Sequence, residues 1–270
     1  MSGRDDNGNK ERRRAEIVAH VPDWYRPWLH LAIPSIIGAV VAGAALSGLH
    51  ALSAVDLLAV PVTLFASFGF EWRVHKYVLH RKVPLLGLIY RRHELMHHVI
   101  YTYDDMAMRS GRELWLILMP AYAILLVFLL NAPFIALIAL VFGQNAAMLV
   151  LATSMFFFLS YEWLHMAYHQ PPESFLGRRR VIRVLREVHR RHHDPALMKR
   201  WNFNVTVPVF DWLLGTLWSP ERQAIKDAAR GRRAASESQT KSASAASRSR
   251  TKSASAASSP SESGSPASSA

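Results

Sequence analysis

Two long stretches of the chain, 29–70 and 113–177, contain no Lys or Arg. Both are predominantly apolar, and each is long enough to cross a bilayer twice, since one span needs about 20 apolar residues. The first divides near 50–56 into spans over about 31–49 and 54–72. The second divides at Asn131-Ala-Pro133 into about 113–131 and 134–162. Pro34, Gly38, Gly43, Pro61, Gly69, Pro120 and Gly143 would weaken soluble helices but are tolerated in membranes. A soluble bundle of buried helices is the alternative, and the short connections lacking any basic residue argue against it. The pattern predicts an all-α integral membrane protein with four transmembrane helices in two hairpins.

Charge gives the orientation. All 32 basic residues fall in 1–28, 71–112 and 178–270, which the two hairpins place on one side of the membrane. The positive-inside rule makes that side cytoplasmic, so a multi-pass protein with both termini cytoplasmic is expected. Residues 1–28 form a basic N-terminal segment in which no removable signal peptide is recognised. Residues 29–222 form the membrane domain, and 223–270 a Ser/Ala-rich basic tail expected to be disordered. That tail repeats eight residues at 240–247 and 251–258 and is read as lying near anionic lipid head groups rather than binding nucleic acid. The net charge of +12 is thereby divided between a tail and a membrane face.

The chain has 13 His and no Cys, which excludes disulfides, thiolate zinc sites, iron–sulfur clusters and cysteine catalysis. Ten of those His fall in four clusters: His75 and His80; His93, His97 and His98; His165 and His169; His189, His192 and His193. His20, His30 and His50 stand alone and receive no role. On an α-helix, residues three or four apart share a face. His165 and His169 therefore share a face, as do His93 and His97, and His189, His192 and His193. His75 and His80, five apart, diverge by about 140° and converge only across a distorted helix end or by serving different metals.

All four clusters lie on the cytoplasmic side, in a helical cap beyond the spans. Ten imidazoles gathered there would repel one another if protonated and lack partners if neutral, and metal binding resolves both. Ten nitrogen donors exceed the needs of one tetrahedral zinc and suit two ions. The Glu-x-x-His pairs Glu94/His97 and Glu162/His165 match a ferritin-like di-iron spacing, but that reading leaves eight His unexplained. Glu71, Glu94, Glu162, Glu187 and Asp194 are better placed to accept the distal ring N–H of a metal-bound His.

The cluster order His-x4-His, His-x3-His-His, His-x3-His, His-x2-His-His resembles the fatty acid hydroxylase superfamily. So do Tyr161-Glu-Trp-Leu-His165, His189-Arg-Arg-His-His193-Asp-Pro, Trp201-Asn-Phe-Asn204 and Pro208-Val-Phe-Asp211-Trp-Leu-Leu-Gly-Thr216-Leu-Trp218. The likeness spans about 30–220. In the second cluster three residues separate the first two His, where many members have two. The resemblance implies a membrane-bound non-haem di-iron monooxygenase with two iron ions, zinc being an alternative occupant in isolated protein. It also implies O2 as co-substrate, a lipid substrate (most simply an acyl chain) and no catalytic residue beyond the metal ligands. Desaturase, sterol oxidase and carotenoid hydroxylase activities would use the same site, and a non-enzymatic structural di-zinc protein is the alternative from another class. The fused haem domain of some relatives, with its His-Pro-Gly-Gly signature, is missing here, which implies an external ferredoxin or small b-type cytochrome as electron donor. An amphipathic helix over 178–193, with Arg179, Arg183, Arg186 and Arg190 opposite Val181, Val184, Leu185, Val188 and His192, would bind lipid phosphates or steer that donor.

Overall fold

The computed structural model describes residues 2–232 and residue 237, with helices and connecting loops and no strand among the described residues. It divides into units 1–218 and 219–270. In the second unit residues 220–232 are helical, so the segment expected to be irregular begins with a helix. The eight-residue duplication of the tail lies outside the described residues.

The first unit opens with α1 (Ser2–Ala19), followed by α2 (Pro27–Ser47), which starts on a proline at a position where its missing N–H costs nothing. The second span, α3 (Ala54–Leu79), begins with a capping box in which the Ser53 hydroxyl accepts from Asp56 N at 3.1 Å and Asp56 accepts from Ser53 N at 2.8 Å. Pro61 cannot donate to Leu57, and the helix is briefly interrupted at Leu58. The third and fourth long helices are α4 (Ala121–Phe142) and α5 (Gln144–Tyr168). All four are long and apolar enough to cross a membrane. Helix α5 packs against the other three, burying Ala146, Ala147, Leu149, Val150, Ala152 and Met155, whereas α4 buries none of its 125–142 window.

The second hairpin differs from the sequence expectation. Its turn is at Gly143, whose φ of +91° favours glycine, and Asn131 and Pro133 lie inside α4. Asn131 satisfies itself on the Val127 carbonyl at 2.7 Å, and a span accommodates the one backbone bond that Pro133 removes. Residues 113–118 are not part of a span. Leu114, Leu116, Ile117 and Leu118 join Val21, Tyr25, Leu31, Ile100, Tyr101, Met106 and Met166 in a buried core. Their hydrophobicity is spent on protein packing rather than on lipid.

Beyond α5, helix α6 (Arg180–His192) turns His189 and His192 inward. The expected apolar face is only partly covered, since Val181 and Val184 remain 66% and 60% exposed. The arginine stripe also divides: Arg183 is exposed, Arg186 donates to the Gln170 carbonyl at 3.1 Å, and Arg190 lies over the Tyr103 ring at 4.0 Å. A short helix, Val209–Leu213, then places Phe210 against Gly69 of α3, where an added Cβ would meet the phenyl ring at 2.7 Å.

Candidate metal centre

The four histidine clusters arrive from the ends of α3, α5 and α6 and from the segment after α3. Two of these segments are widened helical turns. His75–Leu79 and His93–His97 form π-turns, in which hydrogen bonds run from residue i+5 to residue i, as from His80 N to His75 O at 3.3 Å. Residues five apart then stand together. The His75 and His80 rings stack at 5.0 Å, and His93 Nε2 lies 3.1 Å from His98 Nε2. The divergence expected of His75 and His80 on an α-helix is thereby removed.

Ligand atoms of His75, His80, His93, His98 and His192 lie within 4.8 Å of one another, and those of His97, His165, His169 and His189 form a second such group. His193 sits between them, with Nε2 at 3.3 Å from His97 and 3.0 Å from His189 and its ring stacked on His98. All ten are buried. The His93 and His97 rings stack at 5.3 Å, as a shared face predicts, yet they fall in different ligand groups. The π-turn brings His93 to His98 in the first group, while His97 joins the second. His189 and His192 likewise serve different groups, although the same turn of helix carries both.

Four of the outward ring nitrogens are held by backbone carbonyls. His75 Nδ1 donates to Phe203 O at 2.5 Å, His192 Nδ1 to Trp201 O at 3.0 Å, His193 Nδ1 to Tyr101 O at 2.7 Å and His169 Nδ1 to Met106 O at 2.8 Å. That fixes the tautomer and turns each Nε2 lone pair inward. Inward Nε2 atoms meet at 2.9–3.1 Å in the pairs His80/His192, His75/His93 and His98/His93. Metal–nitrogen bonds of about 2.0–2.1 Å give nitrogen–nitrogen edges of about 2.9 Å at right angles and about 3.4 Å in a tetrahedron. His165 Nε2 and His169 Nε2 are buried with no hydrogen-bond partner. The histidine cluster therefore fits the binding of metal ions.

Burial keeps seven of these imidazoles neutral. It holds His93, His97, His98, His169, His189 and His192 well below the ordinary histidine range, and it pushes His193 down to about 3. Neighbouring imidazoles lower the first six further, because a second positive charge would sit against the first.

Of the five carboxylates expected to accept from a histidine, Glu94 does so: it takes the His80 Nδ1–H and an ion pair from Lys199 at 3.1 Å. Burial acts to raise the Glu94 carboxyl, but those partners outweigh it and leave it below the usual carboxylate value. The other four act elsewhere. Glu162 accepts from Met119 N at 3.1 Å, Glu187 pairs with Arg190 and Arg191, and Asp194 accepts from Ala196 N at 2.8 Å in a turn. Glu71 accepts from Asn204 Nδ2, Val205 N, Thr206 N and Thr206 Oγ1. It secures the loop whose carbonyls orient His75 and His192, one step further out than expected.

Asp211 holds the same loop from the other side, accepting from Phe203 N at 2.9 Å, Asn204 N at 2.7 Å and Thr216 Oγ1 at 2.6 Å. Asn202 adopts φ +57°, a conformation asparagine tolerates, and its side chain donates to Val188 O at 3.0 Å. Sequence reasoning assigned these residues no task. Their signal was the run of short polar residues between aromatics at 201–206. His20, His30 and His50 lie apart from the cluster, and His30 bridges Tyr25 and the Met119 carbonyl.

From His75 a cavity of about 1030 Å³ runs between α3, α4 and α5. Its lining is apolar, including Val62, Phe70, Leu130, Val150, Phe157 and Phe158, with Glu71, His75 and Tyr161 at the histidine end.

The fatty acid hydroxylase family model matches residues 60–216, more than half of the chain. The chain belongs to the fatty acid hydroxylase family. Family membership makes it an oxidoreductase of lipid-hydroxylase type whose histidine cluster is the metal-binding feature. Among curated proteins, none matches the chain. The structure of full-length Scs7p, with only its hydroxylase domain visible, is 21% identical, with 73% of this chain and 68% of that chain covered and a TM-score of 0.49.

Proposed function

We propose that this fatty acid hydroxylase family member is a di-iron monooxygenase that inserts one oxygen atom from O2 into a C–H bond of a membrane lipid, most simply in an acyl chain. One observation carries the reading: two groups of inward-facing imidazole nitrogens meet in a buried cluster, and His75 of the first group lines the end of an apolar cavity between membrane spans. All ten histidines hold the metals, His193 lying between the two groups. When bound, the iron pair supplies the redox chemistry that activates O2 toward an unactivated C–H bond. The chain contributes position and dryness. Carbonyls of Tyr101, Met106, Trp201 and Phe203 aim the ligands, Glu94 strengthens His80 as a donor, and the cavity walls align the hydrocarbon while excluding water.

Two electrons come from an external ferredoxin or small b-type cytochrome. Arg183 and Arg186 are its steering charges, Arg186 being tied to Gln170, the neighbour of His169. The metal site and both termini face the cytoplasm, where basic residues also meet anionic lipid head groups.

Lipid mass spectrometry on cells with the protein, without it, and with His97→Ala tests the reading. A product one oxygen heavier, absent from the latter two, is expected. Loss of two hydrogens would instead identify a desaturase, and full oxygenation by His97→Ala would overturn the assignment. Charge reversal at Arg183 and Arg186 is expected to slow electron transfer and flatten its salt dependence, and unchanged rates remove the docking role.

A further inference from the structure

The N-terminal helix α1 precedes the matched segment 60–216, yet it carries a buried arginine, Arg14, only 4% exposed. Its guanidinium donates to Glu113 Oε2 at 2.5 Å, Ala107 O at 2.8 Å and Asp105 Oδ2 at 3.2 Å. All three acceptors belong to the segment between His98 and α4. The inner edge of that segment meets the second histidine group. Tyr101 O accepts from His193, Met106 O accepts from His169, and Met108 N donates to His169 O at 2.7 Å. The Tyr101 ring stands 4.2 Å from the His169 ring and 5.0 Å from that of His97, and its hydroxyl donates to Glu113 Oε2 at 2.7 Å.

We infer that Arg14 is a positioning residue: through Glu113, Tyr101 and the 105–107 backbone, α1 holds His169 and His193 in ligand geometry. The inference rests on the two-metal reading. Arg14 is not needed merely to dock α1, because Lys10 already pairs with Asp105 at 3.2 Å and Glu11 with Arg109 toward the rim. Its own link is buried, and removing it leaves the Glu113 carboxylate with the Tyr101 hydroxyl and Arg109 N as donors and no buried cation beside it. That carboxylate then moves outward, and Tyr101 moves with it. The first group is oriented instead by the Trp201 and Phe203 carbonyls and by Glu94. One half of the site therefore depends on α1.

The test uses the full chain in detergent, loaded with zinc alone, measuring ions bound per chain and their release to a chelator. Arg14→Met is compared with Arg14→Met/Glu113→Gln, which leaves no lone buried charge, and with Arg112→Met, which cuts the Arg112 bond to Val21 O and its ion pair with Asp23. Wild-type protein is expected to hold two ions. In both Arg14 variants one ion leaves about 10- to 100-fold faster while the other keeps its rate, the usual effect of removing an outer partner of a ligand. Arg112→Met changes neither rate. If Arg14→Met fails to fold, the double variant decides. Wild-type rates for both ions, or equal acceleration of both, overturn the inference alone. A wild-type chain that binds no zinc overturns the two-metal reading on which it stands.

Discussion

Replacing Glu71 tests the support of the site from outside the histidines. Its Oε1 accepts from Val205 N at 2.5 Å and Thr206 N at 2.9 Å, and its Oε2 from Asn204 Nδ2 at 3.0 Å and Thr206 Oγ1 at 2.6 Å. Glu71→Ala strands two buried backbone donors, each costing about 1–3 kcal/mol. The side-chain donors adapt more easily, since Asn204 Nδ2 already reaches Phe68 O at 2.9 Å. A loss of about 3–5 kcal/mol follows, which corresponds to a melting temperature lower by about 10 °C. Glu71→Gln keeps one acceptor oxygen but turns an NH2 group toward two donors, and it should lose roughly half as much. Because the same loop offers Phe203 O to His75 and Trp201 O to His192, chelator resistance should fall in the same order, wild type above Gln above Ala. Thermal unfolding in detergent with parallel metal analysis measures both. Melting temperatures within about 2 °C of wild type, with unchanged metal retention, would refute the claim that this carboxylate supports the site.

Glu94→Gln should weaken metal binding by about 10- to 100-fold, because His80 loses a charged partner; zinc competition titration reads this, and wild-type affinity contradicts it. Ser154→Trp should fill part of the cavity, lowering turnover of long acyl substrates while metal content stays at the wild-type level; unchanged turnover would move the substrate path elsewhere. Metal-free protein should lose stability as pH falls. His93, His97, His98, His169, His189 and His192 stay neutral when folded but protonate near pH 6.5 when unfolded. The unfolded state therefore binds more protons below that pH, and stability present at pH 7.5 declines through pH 6.5 toward 4. A melting temperature equal at pH 7.5 and 5.5 would count against buried neutral imidazoles.

The membrane plan and all ten clustered histidines were legible in the sequence, because segregated charge and repeated histidine spacing are local patterns. What escaped was non-local or non-α. The break at Gly143 could not be told from Asn131-Ala-Pro133, since proline ends soluble helices yet is tolerated in spans. The apolar run at 114–118 matched a span until Arg14, some 100 positions away, claimed the adjacent Glu113. The shared face of His93 and His97 was legible, but their allotment to different ligand groups was not, because the turn there is wider. The repeated five-residue separation, His75/His80 and His93/His98, was the available clue.

That wider turn bears on how the cluster tolerates changes in chain length. A π-turn holds one more residue than the α-turn it replaces while keeping the flanking helix in line. The three residues between His93 and His97 are taken up inside that turn. His98 still faces His93, and the chain beyond it stays in register with His165 and His189. Ligand grouping in this chain is therefore set by which imidazoles meet in space, and not by their spacing along the sequence.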